Sequence, residues 1–136
     1  MLFSVGNDAK NTFAVYDWRA KTILYSGPVS RAKVNGISWK NESEFATCGN
    51  DHVKFWTNGK GRMGEFSPAK CEGQFSIASS GNYYITGGAK GNLFVWAGNK
   101  GPKLLNAHKG KVQCIAVRDS YVYTGGDDGT ILRWRK

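Results

Sequence analysis

The sequence predicts an all-β chain. Three observations carry this. Glycine is abundant, at 18 of 136 residues, while proline numbers 3 and aromatic residues make up 13%, a composition suited to many short strands and tight turns. Short runs rich in β-branched and aromatic residues alternate with Gly/Asn/Asp turns. No stretch sustains a helical apolar period, so almost no helix is expected. The length fits one ordinary domain. Hydrophobic residues at 40% and charged residues at 21% exclude disorder. No apolar run approaches the roughly 18–20 residues that a membrane span needs. The opening Met1–Val5 is too short for the apolar core of a signal peptide.

The elements repeat. Four segments align: Phe13–Asp17, Val53–Thr57, Leu93–Ala97 and Ile131–Arg135. The aromatic at the fourth place falls at Tyr16, Trp56, Trp96 and Trp134, spaced by 40, 40 and 38 residues. Each segment follows a small-residue turn: Gly6–Asp8, Gly49–Asp51, Gly87–Gly91 and Gly125–Gly129. Such turns supply the positive φ that tight hairpins need. Before each turn lies a short apolar strand: Leu2–Val5, Glu44–Cys48, Tyr83–Thr86 and Tyr121–Thr124. A further alternating strand precedes each later hairpin, at Val34–Trp39, Gln74–Ala78 and Val112–Val117. One more short strand is placed between units, at Thr22–Ser26, Gly64–Ser67 and Pro102–Leu105.

Four short strands in each repeat of roughly 40 residues is the signature of a β-propeller blade. With strands lettered a to d from the central channel outward, the chain reads b-c-d, a-b-c-d, a-b-c-d, a-b-c. That is a partial propeller of fourteen strands in four blades, approximately 1–27, 28–67, 68–106 and 107–136. The first lacks its inner strand and the last its outer strand. Further blades from the same or another chain are expected, and the chain alone is expected to be poorly stable or oligomeric, because open strand edges invite pairing. Trp56, Trp96 and Trp134 recur at blade period and are expected in the core. Trp39 is expected to be buried and Trp18 partly exposed.

The last unit resembles the WD-repeat family. That family's pattern places a His in the d–a loop, a Ser/Thr on strand b, an Asp in the b–c turn and a Trp on strand c. Here these are His108, Thr124, Asp128 and Trp134. The resemblance implies a structural tetrad in which Asp accepts from His, His meets the hydroxyl and the indole N–H donates. The other blades depart from it. Asp17 alone keeps the family's Asp after the aromatic, which elsewhere is Thr57, Ala97 and Arg135. The third blade has Lys90 at the place of Asp128, and the second blade's turn is shorter, ending at Asp51-His52.

A sharper resemblance covers residues 2–100. Phe13–Arg19, Lys33–Trp39, Glu44–Trp56 and Lys60–Phe66 are similar to the echinoderm microtubule-associated-protein-like family, most tellingly in Thr47–Trp56. The resemblance implies an atypical propeller with microtubule or cilium association. It also implies a cytoplasmic, cytoskeletal location and no enzyme activity.

Other chemistry finds little support in the residues. His52 and His108 are the two histidines, and His108 is needed by the tetrad. Asn58–Arg62 lacks the spacing and Lys-Ser/Thr ending of a phosphate loop and is read as a turn. Asp127-Asp128 is not read as a catalytic pair. Cys48, Cys71 and Cys114 are odd in number and have no metal-ligand spacing, so no metal, disulfide or cofactor is expected. All three are read as reduced, small apolar residues of a cytosolic protein. In such a compartment the glycosylation pattern at Asn41–Ser43 carries no weight.

The net charge of +9 concerns partners rather than fold. Propeller topology sorts the loops onto two faces. On the face of d–a loops and b–c turns fall seven cations, Lys10, Arg31, Lys33, Lys70, Lys90, Lys109 and Lys111, against five acids, Asp8, Asp51, Glu72, Asp127 and Asp128. On the face of a–b and c–d loops fall ten, Arg19, Lys21, Lys40, Lys60, Arg62, Lys100, Lys103, Arg118, Arg135 and Lys136, against Glu42, Glu44 and Asp119. The second face is therefore the candidate docking surface for an acidic partner, and a microtubule would suit. The leading reading is a non-catalytic interaction module with tubulin or a microtubule as partner. The alternative is a generic WD-repeat scaffold of another protein complex. Nucleic acid and membrane are set aside, since no recognition motif or basic block accompanies the charge.

Overall fold

The computed structural model describes residues 1–67 and 70–136. Fourteen strands and no helix form among them: β1 (Leu2–Val5), β2 (Thr12–Asp17), β3 (Thr22–Pro28), β4 (Val34–Trp39), β5 (Glu44–Gly49), β6 (Val53–Thr57), β7 (Lys60–Met63), β8 (Gln74–Ser80), β9 (Tyr83–Gly88), β10 (Asn92–Trp96), β11 (Lys103–Asn106), β12 (Val112–Arg118), β13 (Tyr121–Gly126) and β14 (Ile131–Arg135). They pair antiparallel into four sheets ordered β1-β2-β3, β4-β5-β6-β7, β8-β9-β10-β11 and β12-β13-β14. The expected boundary between the second and third units falls at Pro68, outside the described residues.

One expected strand is displaced. The outer strand of the second sheet is Lys60–Met63, not Gly64–Ser67. The cause is local. Asn58 and Gly59 both hold positive φ, at 50° and 81°, so they form the whole connection. Thr57 pairs directly with Lys60 and Trp56 with Gly61. An Asn-Gly pair of this kind is the strongest short hairpin signal. Lys60 and Arg62, placed in a loop by sequence, therefore stand on strand β7. Lys103, inside the expected strand Pro102–Leu105, is the first residue of β11.

The inner strands β4, β8 and β12 lie side by side. Each carries a β-bulge at the same place, between Val34 and Gly36, Gln74 and Ser76, and Val112 and Cys114. A bulge bends its strand and increases its twist, which suits a strand at the crowded axis of a propeller. Polar side chains stitch neighbouring inner strands together. Asn35 Nδ2 donates to the Gln74 carbonyl at 2.9 Å, Ser76 Oγ to that of Val112 at 3.0 Å and Ser79 Oγ to that of Trp39 at 2.6 Å.

Three apolar seams join the four sheets. Phe13, Val15, Val29, Phe45 and Trp56 fill the first. Cys48, Val53, Phe66, Tyr84, Phe94 and Trp96 fill the second. Ile85, Leu93, Val112 and Val122 fill the third, with Trp134 packed against them. The strand period explains the sorting. In β10, Phe94 and Trp96 face the second sheet, while Leu93 serves the third seam. Aromatic contacts tighten the seams: Phe13 lies 4.7 Å from Trp56 and Phe66 4.9 Å from Trp96, centroid to centroid, spacings at which ring pairs attract beyond simple burial. The fold is thus an arc of sheets. Trp39 is half-buried rather than buried, and Trp18 is 57% exposed.

Candidate functional site

The tetrad residues meet in the last sheet. Thr124, a buried residue of the middle strand β13, sits at their centre. Its Oγ1 accepts from Trp134 Nε1 at 3.0 Å and contacts His108 Nε2 at 2.8 Å. His108 Nδ1 lies 3.1 Å from Asp128 Oδ1 and 3.0 Å from Thr130 Oγ1. Asp128 also accepts from the Lys109 amide at 3.0 Å and from the Thr130 hydroxyl at 2.8 Å. These donors, the Lys109 amide foremost, hold its carboxyl well below the usual carboxylate range. The ring of contacts ties the d–a loop, the b–c turn and strands β13 and β14 into one unit.

Half of this arrangement extends to sheets where sequence did not place it. Trp56 Nε1 donates to Thr47 Oγ1 at 3.1 Å, and Trp96 Nε1 to Thr86 Oγ1 at 3.0 Å. The signal was legible in retrospect: Thr47-Cys48-Gly49, Thr86-Gly87-Gly88 and Thr124-Gly125-Gly126 align. The last glycine of each triplet makes room for a polar group of differing origin. A Cβ on Gly126 would come within 2.6 Å of His108, and one on Gly49 within 2.5 Å of His52. At Gly88 the obstructing group is the Glu72 carboxylate. Glu72 caps the third turn, accepting from the Lys90 amide at 2.9 Å and Asn92 Nδ2 at 3.1 Å. His52, arriving from the turn rather than the d–a loop, is 1% exposed and lies 2.9 Å from Asp51 Oδ1.

The cysteines divide. Cys48 is buried, and that burial pushes its thiol up to about 12. Cys71 and Cys114 are exposed. Cys71 lies in the segment leading into β8. Cys114 follows the bulge of β12, on the side of that strand turned away from the third seam. The Cys71 thiol is raised by partial burial and then by the Asp51 and Glu72 carboxylates.

The basic residues of the a–b/c–d face differ in their freedom. Lys40 pairs with Glu44 at 3.6 Å, Lys100 with Glu65 at 3.8 Å and Arg118 with Asp119 at 3.8 Å. Glu65, absent from the sequence count, thus offsets Lys100. Arg19 lies over the Trp18 ring at 5.2 Å. Among the described residues, no carboxylate lies within ion-pair reach of Lys21, Lys60, Arg62 or Lys103. The adjacent a–b turn is built by Asn41, whose Oδ1 accepts from the Ser43 and Glu44 amides at 2.9 and 2.8 Å. The glycosylation-like triplet is thereby a turn device.

Two clefts open on this face. The first, of about 630 Å³, lies between the second and third sheets and is lined by Lys40, Lys60, Arg62, Asn58, Asn82, Asn99, Tyr84 and Trp96 among others. The second, of about 420 Å³, lies between the third and fourth sheets and is lined mainly by Tyr83, Ile85, Leu93, Val95, Leu105, Val122 and Trp134. Among the described residues, no cluster of metal-ligating side chains forms.

Residues 101–135, which span β11 to β14 and hold the tetrad, match the family described as WD40: WD domain, G-beta repeat. The chain is a β-propeller arc whose last sheet matches a WD repeat. It is 25% identical over 158 residues to mouse cilia- and flagella-associated protein 44, covering 98% of this chain and 8% of that protein. It is 27% identical over 152 residues to human echinoderm microtubule-associated protein-like 2, covering 98% of this chain and 23% of that protein. The chain therefore spans less than a quarter of the length of either relative. Its fold is shared with the computationally designed Ika4 protein (TM-score 0.76, 24% identity, 96% of this chain and 83% of that one). It is shared also with the WD40 β-propeller domain of Doa1 (TM-score 0.70, 19% identity, 77% of this chain and 38% of that one).

Proposed function

We propose that this WD-repeat arc is a non-catalytic interaction module that docks an acidic protein surface, a microtubule foremost, through its a–b/c–d face. WD-repeat propellers act by displaying loops on a rigid stack of sheets. The observation that carries the reading is the group of exposed cations on one face, Lys60, Arg62 and Lys103, that no carboxylate of the described chain neutralises. Loop topology assigns Arg19, Lys21, Lys40, Lys100 and Arg118 to the same face. The names of the two relatives, one microtubule-associated and one of cilia and flagella, favour a cytoskeletal partner and location. Exposed charges of one sign steer association and lose strength with salt. Co-sedimentation with microtubules across a salt series tests this. Binding should weaken as salt rises, and should weaken further on charge reversal at Lys60, Arg62, Lys100 and Lys103. Affinity that ignores both changes contradicts the reading and favours a scaffold of some other complex.

A further inference from the structure

We propose that the two clefts act as one track for an extended acidic peptide that carries an apolar anchor. The clefts adjoin, since Asn82, in the a–b turn of the third sheet, lines both. Their chemistries are complementary rather than alike. The first presents Lys60 and Arg62 without acidic partners, together with Lys40, whose charge Glu44 already engages. Carboxylates suit that end, where the side-chain amides of Asn58 and Asn82 also line the wall. The second is walled by aliphatic and aromatic side chains, among them Ile85, Leu93, Val95, Leu105 and Trp134. An apolar side chain seated there leaves water, whereas a carboxylate would be desolvated without a partner. Both volumes lie in the range of ordinary ligand sites. An extended segment crossing Asn82 can place acidic residues over the second and third sheets and a Leu or Phe between the third and fourth. Such a peptide would be selected for its hydrophobic residue as well as its charge.

This inference rests on the docking reading of the same face, so the experiment separates the two. Fluorescence anisotropy would compare labelled Glu-rich peptides with one Phe, with that Phe replaced by Ser, and with Lys in place of Glu. The Phe peptide should bind about tenfold more tightly than the Ser peptide, the fold-change that burying one such side chain supplies. Tyr83→Ser, at a half-exposed wall position, keeps the charge of the site and should shrink that difference. The pair Lys60→Glu and Arg62→Glu should weaken both acidic peptides, and the Lys peptide should not bind. Equal affinity for the Phe and Ser peptides overturns the anchored track while leaving electrostatic docking intact. Acidic peptides that bind no better than the Lys peptide overturn both.

Discussion

Thr124 shows how much one side chain can organise. The residue is 1% exposed, and its hydroxyl meets both His108 and Trp134. Thr124→Val keeps the shape and removes the partner of two ring nitrogens. A loss of about 1–3 kcal/mol is expected, the cost of leaving buried polar groups unpaired, read as a lowered urea midpoint. The thiols give a second test at this scale. Thiolates, not thiols, are the nucleophiles. Cys48 is buried with its thiol pushed up to about 12, so it should resist alkylation in the native protein and react on unfolding. Mass spectrometry after native labelling should therefore find modification at the exposed Cys71 and Cys114 alone. Labelling of all three at equal rates would show that the second seam is not closed.

Between residues and the molecule, the turns decide where each strand begins. Gly91 closes the third b–c turn at φ +89°, where a Cβ would collide with the His108 carbonyl. Gly81 closes an a–b turn at φ +58° with open space around it. Gly91→Ala should cost at least about 2 kcal/mol and Gly81→Ala about 1 kcal/mol, measured by denaturant unfolding. Similar costs would mean that the d–a loop gives way freely around Gly91. The same level explains what sequence could reveal. Periodic aromatics at Trp56, Trp96 and Trp134 exposed the repeat because each must enter a seam. Strand β7 was misplaced because Lys60-Gly61-Arg62-Met63 has no apolar alternation. Those four residues are all exposed, and only the Asn58-Gly59 turn fixes their register. The tetrad residues were legible because a family pattern marks them. Glu72 and His52 were not, because each reaches its glycine from a place the pattern does not name. The clefts were invisible for another reason. They arise between sheets, from residues such as Arg62 and Trp96 that only the packing brings together.

At the scale of the whole molecule, charge and architecture combine. Stacked sheets hold the a–b turns and c–d turns on one side, and the outer strands β7 and β11 start from the c–d turns there. Lys40, Lys100 and Arg118 each have an acidic neighbour, and of those three acids only Glu65 lies outside the sequence count. What remains unpaired is concentrated on the outer strands at Lys60, Arg62 and Lys103. The most direct test is a comparison of the two faces in microtubule co-sedimentation at fixed salt. One variant carries Lys60→Glu, Arg62→Glu, Lys100→Glu and Lys103→Glu. The other carries Lys10→Glu, Arg31→Glu, Lys70→Glu and Lys90→Glu on the opposite face, for the same change in net charge. The first should lose about tenfold or more in affinity, the sum of several modest surface interactions, and the second should lose little. Equal losses would mean that net charge alone governs binding, and no loss in the first would contradict a docking role for that face.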